Sequence, residues 1–99
     1  MHLPRSAEYA LRVSVELART GLAGPLTSRQ LSRAAHVPLP FLSKVLRRLV
    51  VGGILKVSHG PGGGFLLARP PGKIRFAEIL TVSGYPLEME KCLFGWKRC

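Results

Sequence analysis

Five consecutive residues near the middle of the chain contain four of its eleven glycines and one proline. This run is Gly60-Pro61-Gly62-Gly63-Gly64. Glycine permits positive φ and lets the main chain approach a neighbour closely, so the run indicates a segment that needs unusual backbone freedom. Two interpretations fit it. One is a loop that holds a nucleotide phosphate, and the other is the tip of a β-hairpin that presses its backbone against another surface.

The residues on either side of the run favour the hairpin. The segments ILKVS and GFLLA flank it and are short and β-type. A Walker-type phosphate loop needs Gly-Lys-Ser or Gly-Lys-Thr before a helix, whereas Gly64 is followed by Phe65 and a strand-like segment. A dinucleotide fingerprint fails because no helix follows to supply its N-terminal dipole. We therefore predict a hairpin, with positive φ at Gly63. Three basic or potentially basic residues are expected around its tip: Lys56, His59 and Arg69.

Each of the first two predicted helices has a start signal. Ser6 is a typical N-cap residue and precedes a segment with apolar residues at helical spacing. Thr27 followed by Gln30 is a capping-box pattern, in which two backbone amides at a helix start are satisfied reciprocally. The second helix is predicted from about Ser28 to Ala35.

The third predicted helix carries the clearest functional signal. It has Pro40 in its first turn and stops at Gly52-Gly53. Its basic residues Lys44, Arg47 and Arg48 point away from the apolar stripe, and no acid lies among them. Two helices joined by a short turn, with bases displayed outward on the second, form a helix-turn-helix pattern. An ordinary solvated face is the alternative. The apolar stripe is formed by Leu42, Val45, Leu46 and Leu49.

A fourth short helix, roughly Phe76 to Val82, is predicted to cover the inner face of the hairpin. Ninety-nine residues correspond to one domain. The predicted fold class is therefore mainly α with a β-hairpin wing, a winged helix-turn-helix that spans residues 1–86. A hairpin in this position is called a wing, because it can track the sugar-phosphate backbone or enter the minor groove.

The charge balance favours an anionic partner. Fifteen Lys and Arg stand against five Glu and no Asp, which gives a formal net charge of +10. Ten of these cations lie between Glu16 and Glu78, where there is no acid. Such a block is typical of a protein that binds nucleic acid, and a soluble basic protein without a specific partner is the alternative.

The same totals argue against other classes of protein. With no acid between Glu16 and Glu78 and no visible nucleophile–base pair, the sequence does not favour an enzyme. No apolar run approaches the roughly 20 residues that a membrane-spanning helix needs. No long apolar stretch follows Arg5, so no secretory signal is expected. We therefore expect a cytoplasmic protein without membrane association.

With these motifs in order, the chain resembles the iron–sulfur regulators of the IscR and NsrR kind, which are bacterial winged-helix transcription repressors. The likeness covers the whole sequence. Its most specific part is the wing motif that runs from Gly60 to Leu67. The supporting motifs are Tyr9-Ala10-Leu11, Phe41-Leu42, Gly53-Ile54-Leu55 and Cys92-Leu93-Phe94.

The resemblance implies a homodimer on double-stranded DNA, with recognition helices in successive major grooves and wings at the minor groove. Matched by position, Ser43, Lys44 and Arg47 would face base edges or nearby phosphates, and Arg48 on the same polar side is also expected to bind DNA. The start of the second helix would hold the phosphate backbone through Ser28 and Arg29. The wing contact would come from His59, Gly60, Gly62 and Gly63.

Both cysteines lie in residues 87–99. Two cysteines alone are compatible with a disulfide, a redox switch or inert thiols, and thiolates also bind iron–sulfur clusters. The resemblance implies that Cys92 and Cys99 are two of three cluster cysteines. Residues 87–99 are then expected to be a sensor segment that is cut short before the dimerisation helix of the family.

Glu8 is a further candidate metal ligand through the resemblance. In some relatives an acid at this place in the first helix completes the cluster from the partner subunit. The alternative is a surface ion pair, because Glu8, Arg12 and Glu16 are spaced four residues apart.

Two hypotheses about function follow. The first is a DNA-binding transcriptional regulator, a repressor of the iron–sulfur or redox-sensing type, in which a change of the cluster near Cys92 shifts the recognition helix or the wing. The second is a winged-helix protein-interaction module without specific DNA readout, whose charge is incidental.

Overall fold

Four α-helices and one two-stranded hairpin make up the part of the chain that the computed structural model describes, residues 3–20 and 24–83. The predicted fold class, mainly α with a hairpin wing, is confirmed. Within these residues no helix is both long enough and apolar enough to cross a bilayer. The elements are α1 (Arg5–Arg19), α2 (Ser28–Ala35), α3 (Leu39–Val51), β1 (Leu55–Ser58), β2 (Gly64–Leu67), a 3₁₀ turn (Pro71–Lys73) and α4 (Phe76–Val82).

The capping box at the start of α2 is present as predicted. The Gln30 amide donates to Thr27 Oγ1 at 3.2 Å, and the Thr27 amide donates to Gln30 Oε1 at 2.8 Å. At the other end His36 adopts the left-handed conformation, with φ 57° and ψ 48°. The predicted bounds of α2 are confirmed because both ends are set by local backbone geometry that the sequence signals directly.

The prediction of Ser6 as the N-cap of α1 is wrong. The helix begins two residues earlier, at Arg5 after Pro4, whose carbonyl oxygen accepts from the amide of Glu8 at 3.1 Å. Ser6 therefore lies inside the first turn, and its hydroxyl is free to donate to the carbonyl oxygen of Ser83 at 3.4 Å.

The predicted position of Pro40 in the first turn of α3 is confirmed. The carbonyl oxygen of Pro38 accepts from the amide of Leu42 at 3.1 Å, so the helix begins at Leu39 and Pro40 is its second residue. Proline is tolerated here because the first amides of a helix have no partner within it.

All four helices contribute to one hydrophobic core. Val13 is fully buried, because α1 is covered on more than one side. Val15 stays 56% exposed. Helix α1 packs against α2, α3 and α4 and lies at the centre of the domain. The most deeply buried large side chains are Leu17, Leu31, Leu42, Leu49, Ile54 and Leu55.

The hairpin is tied to the segment that precedes α2. Strands β1 and β2 are antiparallel, with Leu55 opposite Leu67 at the open end and Ser58 opposite Gly64 near the tip. On the other side of β2, Phe65 and Leu26 exchange two backbone hydrogen bonds of 2.8 and 3.0 Å. This bridge fixes the wing beside the beginning of α2.

Two predictions about the base of the hairpin are wrong. Helix α4 buries Ile79 and Leu80 and packs against α1 and α3, whereas Phe76 is 61% exposed and does not cover the hairpin. Arg69 does not lie near the tip. It follows the open end of the hairpin, where its guanidinium donates to Glu78 Oε1 at 3.0 Å and to the Lys73 carbonyl at 3.1 Å.

Candidate nucleic-acid interface

Helix α3 buries one side and exposes a polar side. The predicted apolar stripe of α3 is buried throughout, so the orientation of the helix is fixed by the core. At 3.6 residues per turn, Lys44 and Arg47 lie almost opposite this stripe, and Ser43 lies at the edge of the exposed side. All three are exposed. The structure therefore brings the predicted recognition residues onto one accessible face.

The acidic groups of the described residues lie away from this face and are neutralised locally. Glu8 Oε2 accepts from Arg12 at 2.8 Å and Glu16 Oε2 accepts from Arg19 at 2.7 Å, both on α1. The third acid, on α4, is Glu78, which pairs with Arg69. No carboxylate of residues 3–20 and 24–83 lies within ion-pair distance of the cations of α2, α3 and β1, which are Arg29, Arg33, Lys44, Arg47, Arg48 and Lys56.

The environment of Glu78 lowers its pKa. The hydrogen bond from the Arg69 guanidinium lowers the pKa of Glu78 below its ordinary value, and the amide of Arg75 lowers it further. The same carboxylate therefore caps the start of α4 and anchors the loop that follows β2. It serves to hold the base of the wing.

Arg48 differs from its neighbours on α3. Its Nη1 donates to the carbonyl oxygen of Ser83 at 2.8 Å, so the guanidinium is directed towards the end of α4. It still lines a shallow groove with Lys44 and Arg47, between α3 and the end of α4. The other two cations of α3, Lys44 and Arg47, are exposed, and their side chains form no hydrogen bond with the described residues.

Val51 is a surface residue that the sequence analysis did not single out. It lines the same groove, is 78% exposed, and follows Arg47 by one helical turn. An exposed valine on a recognition face can contact a thymine methyl group. The spacing of four from Arg47 is the signal that would have indicated it.

The start of α2 is accessible, as predicted. Ser28 is the first residue of the helix and is partly exposed, and Arg29 is exposed. Because the first amides of a helix point outward without helical partners, a phosphate can bind at such a position. The Leu26–Phe65 bridge places this helix start and the wing on neighbouring parts of the surface.

The wing tip is a tight turn with open surroundings. The amide of Gly63 donates to the carbonyl oxygen of Gly60 at 3.0 Å, and Gly62 has φ 76° after Pro61. Proline followed by a residue of positive φ is the signature of a type II turn. His59, Gly60 and Gly62 are exposed at this tip, so the predicted wing residues are brought together there.

The prediction that Gly63 needs positive φ is wrong. Positive φ is found at Gly60 and Gly62, but not at Gly63. A Cβ on Gly63 would instead stand against the carbonyl oxygen of Ser58 and 2.9 Å from that of Gly60. The glycine is required because the chain folds back on itself at this point.

The metal ligands suggested by the resemblance are not assembled in the described residues. In residues 3–20 and 24–83 no group of three His, Cys, Asp or Glu side chains could hold a metal ion. Cys92 and Cys99 lie outside the described residues. Glu8 makes the ion pair with Arg12 that was the alternative to a ligand role. Arg12 also donates to the carbonyl oxygen of His36 at 2.9 Å.

A core of helices that presents one cationic helix next to a glycine-rich hairpin defines a winged helix-turn-helix protein. Solved structures of this fold superimpose closely. The T. potens IscR structure matches with a TM-score of 0.79 at 24% identity, over 83% of this chain and 60% of that one. CymR, the global cysteine regulator of B. subtilis, matches with a TM-score of 0.80 at 23% identity, over 87% of this chain and 67% of that one.

The family follows from the sequence comparison. Residues 3–99 match the Rrf2 model, described as an iron-dependent transcriptional regulator, and the chain belongs to this family. The HTH-type transcriptional regulator IscR of Xenorhabdus nematophila is 28% identical over 92 residues, which is 93% of this chain and 56% of that protein. The chain spans 56 to 65% of the length of the first curated relatives it matches.

Proposed function

We propose that the chain is a DNA-binding transcriptional regulator, acting as a repressor, that inserts α3 into the major groove and places the wing at the minor groove. One observation carries the proposal. Every acid of the described residues is paired with an arginine on α1 or beside α4, so the cations of α2, α3 and β1 have no counter-charge within residues 3–20 and 24–83. A phosphate backbone supplies that counter-charge, and the release of its counterions drives binding.

The roles of individual residues follow from their exposure. Lys44 and Arg47 lie on the outermost side of α3 and reach base edges or adjacent phosphates, with Ser43 at the margin. An arginine at such a place can bind the O6 and N7 atoms of guanine together. Ser28 and Arg29 contact the backbone at the start of α2. The wing contact is made by the tip, through His59, Gly60, Gly62 and Gly63.

The protein acts as a homodimer in the cytoplasm and senses iron–sulfur or redox state through residues 87–99. The description of its family as iron-dependent, and the name IscR among its relatives, support a cluster bound by Cys92 and Cys99. When bound, such a cluster would supply the signal that changes DNA affinity. A ligand role for Glu8 requires its ion pair with Arg12 to be exchanged for the metal.

Binding to DNA is tested by fluorescence anisotropy of a labelled duplex across a salt series. Neutralising 6–10 phosphates predicts a loss of about 10³–10⁵ in affinity between 50 and 200 mM salt. A pool of random duplexes followed by selection then identifies the operator. Absence of any duplex binding at low salt, together with a salt-insensitive protein complex, would favour the protein-interaction module instead.

The cluster is tested separately. The longest natural form of the chain is purified anaerobically, and its absorption spectrum and its iron and sulfide contents are measured. The Cys92→Ser variant is the matched control. Equal iron and sulfide in both proteins, or none in either, would contradict a cluster on Cys92 without affecting the DNA-binding proposal.

A further inference from the structure

A cleft lies between the N-terminal halves of α1 and α3, beside the polar side of α3. Its volume is about 250 Å³, and both helices contribute side chains to its walls. Tyr9 and Val45 are the buried residues of its lining, at 8% and 5% exposed, and the more exposed Phe41 lies next to Tyr9. Because sites for drug-sized ligands measure roughly 300–1,000 Å³, this cleft fits a smaller molecule.

Tyr9 brings to the cleft a polar group that the described residues do not satisfy. Its ring is held between Phe41, whose ring centroid is 6.2 Å away, and the Cζ atom of Arg12, which lies 5.7 Å from the Tyr9 ring centroid. The Tyr9 hydroxyl forms no hydrogen bond with residues 3–20 and 24–83. A buried tyrosine hydroxyl usually has a hydrogen-bond partner, and a ligand in the cleft can supply one.

The charged side chains that line the cleft are both cations. Arg5 on α1 and Lys44 on α3 are exposed there, and no acid of the described residues lines it. Glu8, one turn after Arg5, is engaged by Arg12 in an ion pair of 2.8 Å. An anion that enters the cleft therefore meets two positive groups, and its hydrogen bonds with them are charge-assisted.

We propose that this cleft binds a small aromatic carboxylate. The carboxylate accepts from Arg5, Lys44 and the Tyr9 hydroxyl, and the ring packs against Phe41, which is 56% exposed. A backbone phosphate of DNA is the alternative occupant. A duplex can approach the two exposed cations, but it does not reach the buried part of the cleft and leaves the Tyr9 hydroxyl unsatisfied.

The ligand competes with DNA, a consequence that rests on the proposed function of α3 as the recognition helix. Lys44 belongs both to the cleft and to the exposed side of α3. A carboxylate that engages Lys44 withdraws one cation from the phosphates and adds a negative charge beside them, which lowers the affinity for the duplex. A small acid thereby regulates DNA binding.

Ligand binding is measured first, without DNA. The longest natural form of the chain is labelled with ¹⁵N and titrated with benzoate and with indole-3-acetate, and its amide NMR signals are followed. Saturable shifts are expected at Arg5, Tyr9 and Lys44, and none at the wing tip. Benzamide and indole-3-acetamide keep the rings without the charge and should bind about tenfold more weakly. Equal affinity for acid and amide, or no saturable shift with either acid at millimolar concentration, would overturn the proposal.

Tyr9→Phe removes the hydroxyl and keeps the ring. The affinity for both acids should fall by about tenfold or more, the effect of losing one hydrogen bond to a charged group. The urea midpoint of unfolding should stay that of the wild type, since no described residue bonds the hydroxyl. Unchanged affinity in the folded variant would overturn the proposal. So would a lower midpoint, because the hydroxyl would then be satisfied within the protein.

The two cations of α1 that lie at its opposite ends provide a matched pair. Arg5→Gln should weaken binding of both acids, because it removes a cation of the cleft. Arg19→Gln removes the same charge at the other end of α1, where Arg19 pairs with Glu16, and should bind the acids like the wild type. Equal losses in the two variants would indicate a long-range effect of net charge and would overturn the assignment of Arg5 to the site.

The competition is measured with the labelled duplex across the salt series. Saturating indole-3-acetate should lower the duplex affinity of the wild type, and Tyr9→Phe should need a higher concentration for the same effect. Without acid, Arg5→Gln should keep the wild-type slope of log K against log salt. A slope smaller by about 0.9, the value for one phosphate, would place Arg5 on the DNA and overturn the proposal.

The outcomes also distinguish this proposal from the proposed function. A duplex affinity that saturating acid leaves unchanged would overturn the competition at Lys44, while salt-dependent duplex binding would leave the DNA-binding function intact. Saturable acid binding by a protein that binds no duplex would instead contradict the DNA-binding function and support the ligand site.

Discussion

Gly64 packs directly against Leu26. A Cβ on Gly64 would stand against the carbonyl oxygen of Leu26 and 2.6 Å from its carbonyl carbon. The neighbouring pair, Leu26 and Phe65, exchanges backbone hydrogen bonds at the same place. The last glycine of the run therefore serves the attachment of the wing to the domain, whereas the exposed tip is formed by the earlier ones.

Replacing Gly64 with Ala should destabilise the domain. The added methyl group overlaps backbone atoms, which cannot rotate away, and overpacking of this kind typically costs about 1–3 kcal/mol. The free energy of unfolding in urea measures the effect. Gly72→Ala is the matched control, because a Cβ there meets nothing within 4 Å. Equal stability of the two variants would mean that the wing is not packed against Leu26.

Variants of Thr27, the N-cap of α2, and of Ser28, its first residue, should distinguish an effect on stability from an effect on DNA binding. Thr27→Ala removes the side-chain acceptor of the capping box and should cost about 0.5–2 kcal/mol of stability. Ser28→Ala leaves the box intact and should change stability by less than about 0.5 kcal/mol, while it weakens DNA binding if Ser28 holds a phosphate. Urea unfolding and duplex binding are measured for both variants. A Ser28→Ala variant that binds normally would remove this residue from the interface.

Arg47→Ala should weaken duplex binding without unfolding the domain, because the side chain is exposed on α3. If Arg47 reads a base, the loss should be about 1–3 kcal/mol, and preference at one operator position should relax. Binding to the operator and to its single-base variants measures this. Lys73→Ala, which removes a cation of the 3₁₀ turn, is the control for net charge alone. Equal losses in the two variants would indicate a purely electrostatic effect.

Acid should weaken the attachment of α4 through Glu78. Its folded-state pKa is lowered, so the ionised carboxylate adds stability above its unfolded pKa, and this contribution is lost as the pH falls through the folded value. The window lies below the ordinary value of 4.5. Thermal melting from pH 6 down to about pH 3 should therefore show a smaller decline in Glu78→Gln than in the wild type. Identical declines would show that Glu78 does not contribute.

Much of this fold could be predicted from local signals, and the errors have a common physical origin. The bounds of α2 are correct because Thr27 and Gln30 satisfy each other within one turn. Ser6 and Arg69 were misplaced because their partners, Ser83 and Glu78, are distant or on a separate element. Tertiary contacts of this kind leave no periodic trace in a sequence.

In the candidate site, too, features set by local spacing could be predicted and features set by tertiary contacts could not. The exposed face of α3 follows from helical spacing, so Lys44 and Arg47 could be placed from the sequence. The hydrogen bond from Arg48 to the Ser83 carbonyl oxygen could not be predicted, since it depends on where α4 ends. The sequence also could not show why residue 63 is a glycine, because a close contact with Ser58 and a positive φ both require glycine.

The attachment of Phe65 to Leu26 also has a consequence for how such proteins diversify. Pro61 and Gly62 lie beyond the last strand pair, and a Cβ on Gly62 would meet nothing. Insertions between Gly60 and Gly63 can therefore lengthen the reach of the hairpin while its register and its junction with α2 stay unchanged. The proposed groove contacts at this end could then evolve by changes in loop length alone, independently of the helix that we propose reads the bases.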